Sequence, residues 1–109
     1  MLSQQLNAMT VDVEDYFQVS AFESVVPRES WESRKLRVER NTDRILDLFD
    51  EYGVRATFFT LGWVAERCPS MIRRIVDEGH ELASHGWEHV RVINQTSEAF
   101  AVDAGKTKA

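Results

Sequence analysis

The sequence predicts an α/β fold in which three parallel strands alternate with three helices. Short segments rich in β-branched and aromatic residues alternate with longer segments whose apolar residues recur at helical spacing. This alternation favours parallel pairing through right-handed crossovers, which brings the carboxyl ends of all strands to one edge of the sheet. Polar residues that follow the strands should therefore become neighbours in space.

The strand segments are short and differ in apolar character. Residues 9–13 form the first, and an acidic cluster closes it. Residues 54–61 are nearly continuously apolar, as expected of a strand that is buried on both faces. Residues 81–84 lead directly into His85. Between the first strand and the first helix, residues 18–40 show weak periodicity, and we interpret them as a long excursion with one helical turn rather than as a core element.

The first helix is the clearest of the three. Asn41 or Thr42 can cap its amino end, and apolar residues recur at i, i+3 and i+4 from Ile45. Gly53 stands where a left-handed carboxyl cap belongs.

The other two helices have weaker boundary signals. Pro69 precedes the second, which spans 70–78 and is followed by Gly79. The third is expected to begin with Thr96 as its cap and Phe100 as its apolar anchor.

Composition narrows the classes of partner. The 109 residues are enough for at most one domain, and the net charge of −5 without a basic stripe argues against nucleic acid. Cys68 is the only cysteine, so no internal disulfide forms and a packing role is expected. A secretory leader pattern and a run of eighteen apolar residues are both missing from this sequence, which predicts a cytoplasmic protein with no membrane partner.

Two histidines, His85 and His89, stand four residues apart just after the third strand. We expect them to lie on one face of a helical turn, where both rings can reach one ion. A lone pair at this spacing more often comprises surface or packing histidines. The acidic cluster after the first strand favours a metal site over surface or packing histidines, because carboxylate oxygens and imidazole nitrogens are typical ligands of zinc and similar ions. The sequence therefore predicts a mononuclear metal site with an open position for water.

The acidic cluster contains Asp12, Glu14 and Asp15. Strand alternation points Asp12 and Glu14 to one side and Asp15 to the other. One acid could bind the metal while another accepts a proton from bound water. Alternatively, the cluster is a solvated loop or a helix cap. His80 follows a helix end and is expected to form local hydrogen bonds.

Four blocks of the sequence resemble the polysaccharide deacetylase family, the NodB-homology group or carbohydrate esterase family 4. They are Thr10-Val11-Asp12, residues 54–59, residues 77–81 and Ser84-His85-Gly86-Trp87-Glu88-His89. They occur in the family's order and cover roughly residues 8 to 100. The resemblance implies a deformed (β/α) barrel, of which this chain would supply the N-terminal portion with about three β/α units. It also implies hydrolysis of N-acetyl groups on a polysaccharide or oligosaccharide with a divalent metal ion, zinc being the expected one.

The resemblance also implies roles for individual residues. His85 and His89 correspond to metal ligands, and Asp12 to the aspartate that acts as general base. The family commonly has two adjacent aspartates, but Val13 separates the acids here. The third ligand is therefore either Glu14 or Asp15, and Asp15 would require the extra residue to form a β-bulge. Strand alternation favours Glu14 slightly.

This chain departs from the family in length, since the family domain is about twice as long. We expect residues 1–109 to form a single partial domain that is truncated at its C-terminus, without the family's later motifs. Whether it is an enzyme stays open at this point. One hypothesis is a metal-dependent N-deacetylase that is incomplete as this fragment. The other is a catalytically silent metal-binding or assembly module that forms homo-oligomers through exposed barrel edges or needs a complementing half.

Overall fold

A computed structural model describes residues 4–108 and shows one sheet of three parallel strands. The strands are β1 (Thr10–Val13), β2 (Thr57–Thr60) and β3 (Glu81–Ser84), and β2 lies in the middle. Asp12 pairs with Phe59 and Phe59 with Ala83, so the strands end level with one another. The predicted α/β fold with parallel strands is confirmed.

Within residues 4–108, four α-helices accompany the sheet, one more than the sequence predicts. They are α1 (Val38–Tyr52), α2 (Gly62–Arg67), α3 (Pro69–Asp77) and α4 (Ser97–Lys108). Gly53 ends α1 with φ 64°, a left-handed carboxyl cap as expected.

The predicted start of α1 is wrong. The helix begins at Val38 rather than after Asn41 or Thr42, because the acceptor for its first amides comes from outside the helix. The Asp15 carboxylate accepts hydrogen bonds from the backbone N–H groups of Arg37 at 2.7 Å and Val38 at 3.0 Å. A remote carboxylate thus replaces the local side-chain cap.

Helix α2 follows β2 after a single residue, Leu61, and is too short for helical periodicity to reveal it. Its first two amides find acceptors in a distant loop. Gly62 N–H donates to the carbonyl of Gly86, and Trp63 N–H donates to the carbonyl of Trp87, both at 2.9 Å. The loop that carries the two histidines therefore caps this helix.

Helix α4 is capped as predicted but is not anchored as predicted. The Thr96 hydroxyl accepts from Ala99 N–H at 3.1 Å. Phe100 is exposed, so its expected role as an apolar anchor is wrong. None of the residues of α4 is buried. Polar contacts hold this helix instead: the Asp103 carboxylate accepts from Trp87 N–H, and Lys106 Nζ lies 3.8 Å from the centroid of the Trp87 ring.

The predicted excursion of residues 18–40 does contribute to the core, contrary to expectation, because its Trp31 is buried. In the structure the segment between β1 and α1 is residues 14–37, which we call the excursion from here on. It contains three short 3-10 helices, Tyr16–Gln18, Ser20–Phe22 and Arg28–Ser33. Its Phe17 and Trp31 are buried, and their ring centroids lie 5.8 and 5.4 Å from that of Trp63. Three aromatic rings thus fix the excursion against α2.

The remaining core fills the space between the sheet and helices α1 and α3. Its fully buried members include Val13, Leu46, Phe58 and Ile75. Two predicted local roles are confirmed: Cys68 is buried in the core, and His80 Nδ1 accepts from Ala56 N–H at 3.1 Å. Within residues 4–108, the helices are all too short or too polar to cross a membrane.

Candidate metal centre

The end of β1 presents its acids away from the core. Val13 is buried, so alternation along the strand turns Asp12 and Glu14 to the opposite face. The Glu14 side chain is 17% exposed and that of Asp12 is 57% exposed. Of the two, Glu14 is the carboxylate that the surrounding protein shields from water.

The end of β3 leads into the loop of residues 85–91, which we call the histidine loop. His85 N–H donates to the Thr60 carbonyl at 3.1 Å and continues the sheet ladder. Gly86 then turns the chain with φ 80°, and His89 has φ 65°, the one positive value among the non-glycine residues that the structure describes. The predicted helical turn is therefore wrong. The left-handed backbone at Gly86 and His89 is incompatible with a right-handed helical turn, and the carbonyls of residues 86 and 87 accept from α2.

Glu14, His85 and His89 converge at the strand ends. The Glu14 Oε2 atom lies 3.6 Å from His85 Nε2 and 3.2 Å from His89 Nε2, and the two imidazole centroids are 4.9 Å apart. Each of these three residues offers one ligand atom, and the three atoms lie within 4.8 Å of one another. Spacing of this kind allows one small cation to contact all three.

Three polar atoms of this group are buried and lack a hydrogen-bond partner in the part of the chain that the structure describes. They are Glu14 Oε2, His85 Nε2 and His89 Nδ1. Two of them, Glu14 Oε2 and His85 Nε2, face each other at 3.6 Å. Buried polar atoms without partners are costly, so this approach needs an explanation. One carboxylate and two imidazoles are the donor set that zinc and related divalent ions prefer. These residues therefore fit a divalent metal ion.

The other acids have different environments. Asp12 Oδ2 lies 3.9 Å from His85 Nε2, at the solvent side of the group. Asp15 is buried, but the structure does not bring it to the histidines. Its carboxylate accepts from Tyr16 N–H at 2.9 Å as well as from Arg37 and Val38. Asp15 is thus a cap, the alternative that the sequence left open for this cluster, and Glu14 is the acid that joins the histidines.

A cavity of about 280 Å³ adjoins the group and was not found by sequence reasoning. The excursion forms one wall with Phe17, Gln18 and Trp31, and the histidine loop forms the other with Glu88 and His89. The sequence signal that could have indicated it is the presence of aromatic residues, among them Phe17 and Trp31, in a segment without helical or strand periodicity. Its size is near the lower end of small-molecule sites, enough for a single sugar ring.

An ion pair crosses the edge of this cavity. Arg28 Nε donates to Glu88 Oε2 at 2.8 Å, and Arg28 also lies 3.4 Å from Glu32. Burial lowers the pKa of Arg28, but the hydrogen bond and charge of Glu88, with those of Glu32, outweigh burial and raise it overall. The guanidinium therefore stays charged.

The fold and the group of Glu14, His85 and His89 define the class of protein: a parallel α/β protein with a candidate metal site at the carboxyl ends of its strands. A family profile described as polysaccharide deacetylase matches residues 30–109. The chain belongs to this family, carbohydrate esterase family 4, and the predicted resemblance is confirmed. Enzymes of the family depend on a metal ion.

Curated relatives are similar over part of their length. A peptidoglycan-N-acetylglucosamine deacetylase of Bacillus cereus is 34% identical over 62 residues, which are 57% of this chain and 29% of that protein. A chitooligosaccharide deacetylase of Sinorhizobium fredii is 46% identical over 48 residues, 44% of this chain and 22% of that protein. The chain thus matches less than a third of either relative.

Solved structures extend the likeness to most of the chain. A putative polysaccharide deacetylase from Mycobacterium smegmatis superposes with a TM-score of 0.71 at 26% identity, over 92% of this chain and 36% of that one. The Bc1960 peptidoglycan N-acetylglucosamine deacetylase gives 0.67 at 27% identity with the same coverage. The three β/α units therefore correspond to part of the family's deformed barrel.

Proposed function

We propose that this chain forms the metal-binding part of a hydrolase that removes N-acetyl groups from a carbohydrate. The observation that carries the proposal is the convergence of Glu14, His85 and His89, in which the buried Glu14 Oε2 and His85 Nε2 atoms have no hydrogen-bond partner within residues 4–108. Family membership supports the reaction class, and the relatives named for peptidoglycan and chitooligosaccharide deacetylation support an N-acetylated sugar as substrate.

Each residue of the site has a distinct role in this proposal. Glu14, His85 and His89 hold a divalent ion, zinc being the one that best suits two imidazoles and a carboxylate. When bound, such an ion supplies Lewis-acid chemistry at the acetyl group and makes nearby water more acidic. Asp12, exposed and 3.9 Å from His85, accepts the proton of the attacking water at its carboxylate. The C–N bond of the acetamide breaks as the departing nitrogen takes up this proton, and the products are acetic acid, which ionises to acetate, and the free amine.

The cavity beside His89 supports a carbohydrate ligand. The aromatic residues Phe17 and Trp31 line it together with the amide of Gln18. The Gln18 Nε2 atom is buried and lacks a hydrogen-bond partner among the described residues. Sugars typically present an apolar ring face together with hydroxyl acceptors, and this lining offers partners for both.

Calorimetric titration with zinc and cobalt tests the metal site. We expect one ion per chain, and loss of binding in the His85→Ala, His89→Ala double variant. His80→Asn is the matched control, because it removes an imidazole outside the site and its amide oxygen can still accept from Ala56. Glu14→Gln should weaken binding more than tenfold, whereas Asp15→Asn should preserve the stoichiometry. Absence of binding to the parent chain would contradict the proposal.

The second candidate is a catalytically silent metal-binding or assembly module. Its support is the sheet itself, because β1 and β3 each pair on one side only within the described residues. Leu82 on the edge strand β3 is exposed. Unpaired edges favour association with a second copy or with a complementing segment. Metal-dependent release of acetate from N-acetylated oligosaccharides by this chain alone would exclude a catalytically silent module. Light scattering would detect association into an oligomer.

A further inference from the structure

A pair of charged side chains, Arg28 and Glu88, ties the histidine loop to the excursion. Glu88, the residue before His89, accepts from Arg28 Nε at 2.8 Å across 60 residues of sequence. The bond links the backbone that carries a proposed metal ligand to a segment that contributes no ligand. Its effect on the site must therefore be indirect.

Arg28 has further contacts besides Glu88. Its guanidinium carbon lies 4.5 Å from the centroid of the Trp31 ring, and Trp31 is buried. The Glu32 Oε1 atom lies 3.4 Å from Arg28 Nη1 and 3.3 Å from Arg67 Nη2. The Arg67 guanidinium in turn lies 3.8 Å from the centroid of the buried Trp63 ring. Glu88, Arg28, Glu32 and Arg67 thus form a row of alternating charges in which both guanidinium groups lie over buried tryptophan rings, and these contacts orient the partner of Glu88.

His89 needs such support more than His85 does. Its φ of 65° is unfavourable for a residue with a side chain, so neighbouring contacts must maintain it. His85 continues the sheet through its own backbone bond to Thr60. Ligating histidines are usually oriented by a hydrogen bond to their second ring nitrogen. The buried Nδ1 of His89 has no such partner among residues 4–108, so its backbone must set the ring's orientation.

We propose that Arg28, acting through Glu88, is a positioning residue that holds His89 within reach of Glu14. This inference rests on the proposed metal-binding function of the site. Removal of Arg28 should let residues 88–90 relax from the left-handed turn, and the 3.2 Å approach of His89 to Glu14 should open.

The sign of the effect separates positioning from simple electrostatics. A nearby positive charge repels a metal cation, so loss of Arg28 would strengthen metal binding if charge alone mattered. Loss of Glu88 would weaken it, and loss of both would leave it nearly unchanged. Positioning predicts instead that all three changes weaken binding to a similar extent, because each breaks the same link.

The experiment compares zinc and cobalt affinities of the parent chain with those of Arg28→Gln, Glu88→Gln and the double variant. We expect each to lose roughly tenfold in affinity, with Arg28→Lys intermediate, and the cobalt absorption spectrum to change in all of them. Lys35→Gln is the matched control, since it removes one exposed positive charge from the same excursion. It should leave affinity and spectrum unchanged. Partly exposed ion pairs contribute little to folding, and thermal unfolding will verify that the variants are folded.

The possible results are distinguishable. The inference would be overturned, and the proposed function left intact, if the Arg28→Gln variant bound cobalt at least as tightly as the parent and had an unchanged spectrum. The same conclusion would follow if Arg28→Gln raised the metal affinity, Glu88→Gln lowered it, and the two effects added in the double variant. A parent chain that binds neither ion would overturn the proposed function and the inference together.

Discussion

Replacement of Gly62 by alanine should disturb the candidate metal centre from the opposite side of the histidine loop. Gly62 begins α2 and is buried beneath the indole of Trp87. A Cβ at this position would lie 2.2 Å from Trp87 Cε3 and 2.7 Å from Cζ3. The backbone of Gly62 does not have a positive φ, so alanine adds no backbone strain and its effect comes from the clash with Trp87 alone.

The required displacement follows from the contact distance. Ordinary carbon contacts are about 3.5 Å, so the indole must retreat by more than 1 Å. Trp87 cannot simply move with its backbone, because its carbonyl binds Trp63 N–H and its N–H binds Asp103. Overpacking of this kind costs about 1–3 kcal/mol. In a domain of this size each kcal/mol lowers the melting temperature by about 4–8 °C.

The assay combines thermal unfolding, tryptophan fluorescence and cobalt titration of the Gly62→Ala variant. We expect a lower melting temperature, a shifted emission from Trp87 and at least tenfold weaker cobalt binding, because His89 follows the displaced residue by two positions. Gly105→Ala is the control: an added Cβ there meets nothing within 4 Å, and alanine favours the helix by up to about 1 kcal/mol. Unchanged stability and unchanged cobalt affinity in Gly62→Ala would refute the close packing of the Trp87 indole against Gly62.

Three further predictions concern buried polar groups. Asp15→Ala should lower the free energy of unfolding by about 2–4 kcal/mol in urea titrations, because it removes the acceptor of three backbone amides. His80→Leu should cost about 1–3 kcal/mol in the same titration by leaving Ala56 N–H without an acceptor, and His80→Asn should cost less. Burial, and then the neighbouring Glu39, raises the pKa of Cys68 from its ordinary 9.0 to about 12. The folded state therefore keeps this proton to higher pH than the unfolded chain does. Its contribution to stability is fully present below pH 9 and is lost as the pH rises toward 12, so Cys68→Ala should unfold with a shallower pH dependence between those values.

Sequence reasoning succeeded where the determining interactions are local or follow from topology. Parallel strands place their carboxyl ends together, which brought the acids of β1 to the histidines after β3. Period-two alternation favoured Glu14 over Asp15 as the acid beside the histidines, and this is the arrangement observed. Gly53 and Thr96 cap their helices as their types suggest.

It failed where a partner lies far away in sequence. The start of α1 depends on Asp15, more than twenty residues upstream, and no pattern near Val38 indicates this. The spacing of His85 and His89 suits a helical turn, yet Gly86 and His89 have a left-handed backbone, and the carbonyls of residues 86 and 87 cap the distant helix α2. The apolar spacing around Phe100 suggested an anchored helix, but α4 packs through Asp103 and Lys106 instead.

The attachment of α4 through polar contacts links its order to that of the histidine loop. The helix has no buried residue, so little apolar burial favours its docked position over a detached one. Its contacts to Trp87 end on the same short stretch of chain that carries His89. Coupling between two such elements is reciprocal: whatever restricts the loop also slows undocking of the helix, and whatever loosens the helix frees the loop. The amide protons of residues 97–108 should therefore exchange more slowly with solvent deuterium when the loop is restrained, and α4 would report from a distance on events at the strand ends.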